Sequence, residues 1–437
     1  MKRMAFFQSK VFTNASWLLA EKILLTGSGL LFLVLLTRHW SVEQVGDYQF
    51  LLALLALLSP FSSMGLNSIV SRELVLTPHQ TPAILGTALV IRCCGAAVAM
   101  LLSALLAFWL VPNGLFYIFL LLLLAQLSHS FYVIDYYFEA HVKSKVSALL
   151  RTSIGIVMLL IKLIMVINGS GITGVLIVTA IEWCLFAVAW VGVYCFFYNS
   201  KPAFAWSTLQ AKLFLSRGWW LILSGVASII YLKIDQVMLG WMQGSEAVAY
   251  YSLASRLSEV WYLFPGVIVA SLYPSLIKAK QLDDVYRVKL QRICNLLCWM
   301  AISIALVMTF IAPVLVEQLF GVEYGPTVLI LQIHVWAGVF IFMRALFSKW
   351  ILIEDIPKYS LLTHGGGAIV NVILNFWLIP IMGGEGAAWA TLISYMAASY
   401  LVLFLCKPTR EMAMIMSISL IAPILLIINK VNKPLTK

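Results

Sequence analysis

Apolar runs of membrane-spanning length recur throughout this chain and constrain its fold more than any other feature. A helix needs roughly 20 apolar residues to cross the hydrocarbon core of a bilayer. With 62% hydrophobic and 11% charged residues, the 437-residue chain has too little polar surface for a soluble protein. We therefore predict an all-α polytopic membrane protein with twelve transmembrane helices, at 12–36, 46–70, 83–110, 115–138, 146–167, 172–198, 218–241, 248–277, 293–316, 327–350, 361–381 and 387–406.

A further apolar run follows the twelfth predicted span. It covers residues 412–429, is interrupted by Pro423 and is followed by a basic tail. The run is long enough to cross a bilayer. Whether it forms a thirteenth transmembrane helix is left open by the sequence.

Internal repetition indicates that the membrane body arose by duplication. The phrase Glu-x-Val-Gly-x-Tyr at 43–48 returns 203 residues later as Glu-x-Val-Ala-x-Tyr at 246–251, and at a spacing of 212 Gly171 matches Gly383. Repeated halves around a central site are common in transporters. Because each half has an even number of spans, we expect two parallel-repeat six-helix bundles around a central cavity. The predicted segments are an N-terminal bundle (1–198), a cytoplasmic linker (199–217), a C-terminal bundle (218–406) and a tail (407–437).

The distribution of Lys and Arg predicts the orientation of the chain. Basic residues are retained on the cytoplasmic side of a membrane. With a cytoplasmic N-terminus, nineteen of the 29 Lys and Arg residues fall in cytoplasmic segments, against Arg38 alone in the external connections of the twelve-span body. The formal charge of +11 mostly reflects this bias, which suits contact with anionic lipid headgroups of the bilayer. We expect no nucleic-acid partner.

Six basic residues lie inside predicted spans, apart from Arg151 and Lys349, which lie near the inner ends of theirs and count among the nineteen cytoplasmic residues. A charge there costs roughly 2.5–3.5 kcal/mol on insertion scales and therefore usually faces a cavity or a partner. One of the six, Lys162, is close enough to the outer end of its span to reach water. We predict that the other five bind substrate: Lys22, Arg92, Lys233, Arg256 and Arg344.

Acidic residues inside the spans form a second predicted group. A carboxyl group in a partly dehydrated cavity can take up H⁺ or Na⁺ in one conformational state and release it in another. Lys233 and Asp235 point to opposite sides of one helix and need separate partners, whereas Arg256 and Glu259, at i and i+3, can pair with each other. The predicted ion-coupling residues are Glu21 and Asp235, which lead, with Glu182 and Glu259. We expect no cofactor apart from this coupling ion, and no catalytic residue.

The cysteines and the lone membrane histidine are better explained by packing. The seven cysteines lie within or at the ends of spans and lack CxxC spacing, which is typical of buried small side chains and not of disulfides or metal ligands. His334 is likewise expected to pack inside its span. We therefore predict no metal site.

Several stretches occur in an order typical of one transporter family. They are Ile-Asp-Gln-Val-Met-Leu-Gly at 234–240, Glu-Ala-Val-Ala-Tyr-Tyr-Ser-Leu-Ala-Ser-Arg-Leu at 246–257 and Gly-Gly-Glu-Gly-Ala-Ala at 383–388. In these stretches the chain resembles the Wzx-type polysaccharide flippases of the multidrug/oligosaccharidyl-lipid/polysaccharide superfamily. The resemblance implies a bacterial inner-membrane protein that moves an undecaprenyl-pyrophosphate-linked oligosaccharide, such as an O-antigen repeat unit, to the periplasmic leaflet by alternating access. A polysaccharide polymerase and a chain-length regulator are the partners that it implies.

The depth of the five cations in their spans predicts a division of roles. Arg and Lys bind phosphate groups through charge-assisted hydrogen bonds, so a cationic cleft suits a pyrophosphate. Arg92, Lys22 and Arg344 lie in the inner half or the middle of their spans and are expected to receive the pyrophosphate and glycan. Lys233 and Arg256 are expected to hold the substrate in the outward state.

Two other classes of protein fit parts of the pattern. A drug or small-cation antiporter of the MATE type would share the duplicated twelve-span plan, but should favour an acidic, aromatic cavity over one with five deep cations. A membrane polysaccharide polymerase or glycosyltransferase usually needs a sizeable external loop with catalytic groups. The external connections here are too short for such a loop, for example 111–114 and 168–171.

Overall fold

The computed structural model of the chain describes residues 2–198, 204–356 and 358–431. Every regular element within these residues is helical. Over the same residues, ten helices are long and apolar enough to cross a membrane, or eleven if the bent pair Val42–Leu57 and Ser59–Leu76 counts as one span. The prediction of an all-α, multi-pass membrane protein is confirmed.

The chain divides into two compact units, Met1–Ile229 and Ile230–Lys437. The helices of the first unit are α1 (Lys2–His39), α2 (Val42–Leu57), α3 (Ser59–Ser63), α4 (Asn67–Leu76), α5 (Thr81–Leu110), α6 (Phe116–Gln126), α7 (Val133–Ala140), α8 (Ser144–Ile167) and α9 (Ile172–Tyr198). Helix α10 (Thr208–Gln243) begins in the first unit and continues into the second. A core that includes Phe138, Trp190, Tyr194 and Phe214 holds the first unit together.

The second unit contains the remaining helices. They are α11 (Ser245–Glu259), α12 (Leu263–Ala279), α13 (Asp283–Phe320), α14 (Thr327–His334), α15 (Ala337–Ile353), α16 (Lys358–Ser399) and α17 (Arg410–Val431). Its main core lies where α12, α13, α15 and α17 meet, around Leu290, Leu346 and Met412. The run at 412–429 is therefore helical, and whether it crosses a membrane stays an open prediction.

The second predicted span is broken at its middle, between α2 and α4. Pro60 lies in the first turn of α3, where its missing N–H would have had no partner within the helix. Helix α3 ends at Ser63, and the next residue, Met64, has a left-handed backbone with φ of 51°. Beside the break, a Cβ atom at Gly95 would lie 2.2 Å from the carbonyl oxygen of Phe61, so only glycine allows α5 to pack this closely. Broken helices are tolerated in membranes where they line a cavity.

The equivalent span of the second unit, Ser245–Ala279, is not sharply bent, but its helix type changes at the matching place. Helix α2 ends at Leu57 and α11 ends at Glu259, which is within one residue of the 203-residue spacing in the sequence. A 3₁₀ turn, Val260–Tyr262, then leads into α12. The break in the first unit and the change of helix type in the second therefore occur at corresponding points of the predicted repeat.

Helix α16 is a hairpin and not one straight rod. Gly383 has φ of 55° and ψ of −130°, a backbone conformation outside the helical region. The side-chain nitrogen of Asn371 lies 3.3 Å from the hydroxyl of Ser394, although a straight helix would separate residues so far apart in sequence by about 35 Å. The chain therefore turns back on itself at Gly383, where the sequence separates the predicted spans 361–381 and 387–406.

The part of the predicted linker that the structure describes packs on the first unit. The amide of Ala205 donates to the carbonyl of Pro82 at 3.0 Å, and the amide of Ser207 donates to the hydroxyl of Thr87 at 2.9 Å. Helix α10 begins at Thr208, so regular structure starts inside the predicted 199–217 segment. Residues 199–203 of that segment lie outside the described residues.

Candidate functional site

A cavity of about 500 Å³ lies in the first unit beside the break between α2 and α4. Its wall comes from α3, α4, α5 and α10 and from the segment 127–136 at the junction of α6 and α7. Among its described lining residues there is no Asp or Glu. The hydroxyl and amide groups among these lining residues belong to four serines, two tyrosines and one asparagine: Ser59, Ser62, Ser63, Ser228, Tyr132, Tyr136 and Asn67.

Arg92 is the cationic residue of this cavity. It is only 4% exposed, and Nη1 donates to the Tyr136 hydroxyl at 2.7 Å while Nη2 donates to the carbonyl oxygen of His129 at 2.8 Å. The third donor, Nε, is buried and has no hydrogen-bond partner in the described structure. No salt bridge to Arg92 occurs within the described ranges. Arg92 therefore lies against a cavity, and its role in binding substrate stays a prediction.

Tyr136 extends the contacts of Arg92 to the rim of the broken span. Its hydroxyl donates to Oδ1 of Asn67 at 2.5 Å. Asn67 is the first residue of α4 and is exposed. The three side chains thus form a hydrogen-bonded row from α5 through α7 to α4.

Glu21 lies in a separate buried cluster of the first unit. Both of its oxygens accept from Arg151, at 2.5 Å from Nε and 2.9 Å from Nη2, and Arg151 Nη1 also bonds to Asp135. One cation therefore pairs with two carboxylates, which leaves the three ionised groups with one net negative charge. Lys22, the neighbour of Glu21 on α1, is exposed. Glu21 therefore belongs to a salt-bridge cluster, whereas Arg92 of the same unit lines a cavity.

Lys162 and Glu182 form a buried ion pair between α8 and α9, with 2.5 Å between Nζ and Oε2. Lys162 is 8% exposed, so it does not reach outward as an interfacial lysine would. Glu182, one of the predicted ion-coupling residues, is the partner that accounts for its burial. Removing the charge of either residue would leave the charge of the other one without a partner.

In the second unit, Glu259 approaches Lys233 and not its neighbour on the helix. Oε1 of Glu259 lies 4.0 Å from Nζ of Lys233, and both side chains are partly exposed. No ion pair joins Arg256 to Glu259 within the residues that the structure describes, and Arg256 is exposed. The i, i+3 pair that the sequence allowed is therefore not formed.

Arg344 is buried between α15 and both arms of the α16 hairpin. Nη2 donates to the Thr363 hydroxyl at 3.1 Å, and Nη1 contacts the Ala398 carbonyl and the Ser399 hydroxyl at 3.5 Å. No carboxylate pairs with it in the described parts of the chain. The long, neutral contacts hold the side chain in place without neutralising its charge.

Asp235 lies in a buried polar cluster of α10, α11 and α16. Oδ2 accepts from the hydroxyls of Tyr251 and Thr391, at 2.7 Å each, and Oδ1 accepts from the amide of Asn375. Asn375 also donates to Asn371 at 3.1 Å, and its own Oδ1 is buried without a partner in the described structure. Asp235 is 2% exposed and has no cationic partner within the described ranges. The cluster presents several oxygen atoms around one uncompensated carboxylate.

Sequence reasoning missed the neutral members of these sites. Tyr136, Asn67, Asn375 and Thr391 carry no charge, so counting charges inside spans did not select them. Thr391 lies 212 residues after Thr179, in the same register as Gly171 and Gly383, but this match indicates duplication and not a polar site. Arg151 was counted among cytoplasmic cations, although it lies inside α8 and bonds to Glu21.

Comparison with known proteins places the chain in a family. A sequence profile described as "Polysaccharide biosynthesis protein" matches residues 11–280. Among curated proteins, the chain is 26% identical over 274 residues to "Probable flippase AglR" of Haloferax volcanii, covering 59% of this chain and 54% of that protein. It is 27% identical over 201 residues to "Putative O-antigen transporter" of Shigella dysenteriae, covering 45% and 48%. The matches span about half the length of these relatives.

A solved structure supports the fold over nearly the whole chain. The structure described as "Lipid II flippase MurJ, inward closed conformation" superposes with a TM-score of 0.72 and 17% identity, covering 94% of this chain and 92% of that one. At this identity the likeness concerns the fold alone. The resemblance that the sequence motifs indicated is confirmed, because the profile covers more than half of the chain. The protein belongs to the polysaccharide biosynthesis protein family of multi-pass membrane proteins.

Proposed function

We propose that this protein is a flippase that carries an undecaprenyl-pyrophosphate-linked oligosaccharide from the cytoplasmic to the periplasmic leaflet by alternating access. The family, and relatives named as a flippase and an O-antigen transporter, support this assignment. The proposed setting is a bacterial inner membrane with a cytoplasmic N-terminus. The fold-back at Gly383 and the bent second span support a twelve-span body of two six-helix repeats.

Arg92 is the observation that carries the proposed substrate. An arginine inside a membrane is costly unless a partner balances it, and this guanidinium has neutral partners and one nitrogen, Nε, without a hydrogen bond. A phosphate group supplies both the negative charge and the acceptors that the guanidinium lacks. The cavity of about 500 Å³ beside it has room for a pyrophosphate together with part of a sugar. Lys22, Lys233, Arg256 and Arg344 are proposed to contact the remainder of the anionic substrate during transport.

Asp235 is the proposed site of ion coupling. Its carboxylate, the amide oxygens of Asn371 and Asn375 and the hydroxyl of Thr391 form an oxygen-rich cluster, which is the donor set that hard cations prefer. Transporters commonly bind Na⁺ or H⁺ at such interrupted, polar regions of their helices. Glu21, Glu182 and Glu259 each already have a cationic partner. We therefore rank them below Asp235 as candidate coupling residues.

The test is complementation of a strain that lacks its own flippase. Arg92→Ala should abolish surface polysaccharide and leave lipid-linked oligosaccharide accumulated in the inner leaflet, with normal protein in the membrane. Arg72→Ala is the matched control, because it removes the same charge from an exposed position on α4 of the same unit. Normal surface polysaccharide with Arg92→Ala would rule out the role that we assign to this cavity.

The uncompensated carboxylate of Asp235 also suits a cation exporter of the MATE type, which is the second candidate function. Deletion of the gene should then sensitise cells to cationic drugs while leaving surface polysaccharide intact. If the protein is a flippase, deletion should instead abolish surface polysaccharide and leave drug sensitivity unchanged.

Partnership with a polysaccharide polymerase and a chain-length regulator is a further part of the proposal. In vivo cross-linking from this protein would test it. We infer transport without catalysis.

A further inference from the structure

We propose that Asn67 is a specificity-determining residue of the Arg92 cavity, which donates a hydrogen bond from Nδ2 to the diphosphate of the substrate. The inference rests on the proposed function and deepens it, because it names how the cavity distinguishes an anionic headgroup from a neutral sugar. It follows from counting the protons in the row Arg92–Tyr136–Asn67.

The direction of each hydrogen bond in this row is fixed by the chemistry of Arg92. A guanidinium has only donors, so the Tyr136 oxygen, 2.7 Å from Nη1, must accept from it. The single hydroxyl proton of Tyr136 is then available for the partner on its other side, Asn67 at 2.5 Å. Asn67 can accept only through Oδ1, so this contact determines which way its amide group is turned. Its Nδ2 and both of its protons are left without a partner in the described structure.

The consequence is a wall that presents donors. Asn67 lines the cavity and is exposed, so its Nδ2 protons are open to a ligand. The buried Nε of Arg92 has no partner, and neither does the buried hydroxyl of Ser62, which lines the same cavity and is 4% exposed. No carboxylate lies among the described lining residues to compete for these donors. Such a set favours a ligand that has many acceptors and negative charge, as a diphosphate has.

A purely structural role for Asn67 would need only its oxygen. If the residue merely anchors Tyr136, any side chain of the same shape that accepts the hydroxyl proton would serve. Asn67→Asp is such a side chain, because it keeps an acceptor for Tyr136 while replacing the Nδ2 donor by a second, negatively charged oxygen. The substitution therefore separates the two roles with little change in volume.

The experiment measures binding of inorganic pyrophosphate to the purified full chain by calorimetry at constant ionic strength. Wild-type protein should bind, and Asn67→Asp should bind about 10- to 100-fold more weakly, since a hydrogen bond to a charged group is lost and a repulsive charge is gained. Asn168→Asp is the matched control. It adds the same charge to the first unit at an exposed position after α8, and should bind like wild type.

A second variant tests the hydrogen-bonded row at Tyr136. Tyr136→Phe removes the proton that orients Asn67 but keeps the aromatic ring, so affinity for pyrophosphate should fall roughly 3- to 10-fold with Arg92 still present. Pyrophosphate binding by Asn67→Asp and Tyr136→Phe within twofold of wild type would overturn the role of Asn67 and leave the proposed function standing. Absence of binding by wild-type protein would overturn both this inference and the assignment of the cavity to a diphosphate.

Discussion

Replacing Asp235 by Asn tests whether the buried carboxylate of the second unit binds a coupling cation. In the variant, one oxygen still accepts from Tyr251 and Thr391, but the new NH₂ group faces the NH₂ group of Asn375. That lost hydrogen bond costs about 1–3 kcal/mol. Removal of an uncompensated buried charge offsets the loss. We therefore expect the variant to fold with a melting temperature close to that of the wild type when sodium is absent.

Sodium should change the Tm of the wild-type protein but not that of the variant. A ligand that binds only the folded state stabilises it by about 2.7 kcal/mol at 100 times its Kd. For a unit of this size that corresponds to a rise of about 5–10 °C in Tm. Wild-type protein should show such a rise when choline chloride is replaced by sodium chloride at equal ionic strength, and Asp235→Asn should show none.

Scanning calorimetry of the purified protein in detergent measures this difference. Equal sodium-dependent shifts in the wild type and in Asp235→Asn would refute the assignment of the cation to this cluster. If sodium does not change the Tm of the wild-type protein, the proton is the coupling ion that we would expect. Transport should then stop when a protonophore collapses the proton gradient.

Three further predictions concern buried charges and the fold-back. Arg151→Gln should destabilise the first unit by about 3–5 kcal/mol because it leaves two buried carboxylates unpaired. Glu21→Gln should cost far less, since the ion pair between Arg151 and Asp135 remains. Thermal unfolding of the two variants measures the difference. Lys162→Met should be similarly destabilising, and adding Glu182→Leu should restore most of the loss, which a double-mutant cycle in denaturant would measure. Gly383→Ala should cost about 1–3 kcal/mol in unfolding free energy, because φ of 55° with ψ of −130° strains any residue with a Cβ.

The sequence predicts those features of the fold that depend on local patterns. Span positions follow from apolar runs, and the 212-residue register already matched Gly383 with Gly171, next to the α8–α9 turn. The end of α11 likewise lies within one residue of its expected place relative to α2. Backbone turns and helix breaks depend on nearby Gly and Pro, so a repeated sequence carries them to the same places in both halves.

The partners of the charged residues could not be predicted in this way. Asp235 meets Asn375 and Thr391, which are 140 and 156 residues away along the chain. Which helix faces which is set by packing over the whole unit, and apolar membrane helices carry little sequence information about it. Charge counting therefore found Arg92 and Asp235 as unusual residues, but could not show that Glu21 is held by Arg151.

Two of the uncompensated charges, Arg92 and Asp235, have opposite signs, and this difference bears on mechanism. Arg92 needs an anion and Asp235 needs a cation, so each site loses its electrostatic penalty only when its own ligand is bound. A conformational change that buries either site more deeply is cheaper when that site is loaded, because burying an unpaired charge costs several kcal/mol. Each ligand can then shift the conformational equilibrium by its differential affinity for the two states. If both sites respond to the same equilibrium, linkage requires that substrate and ion change each other's affinity by the same factor. This reciprocity would couple the proposed transport to an ion gradient.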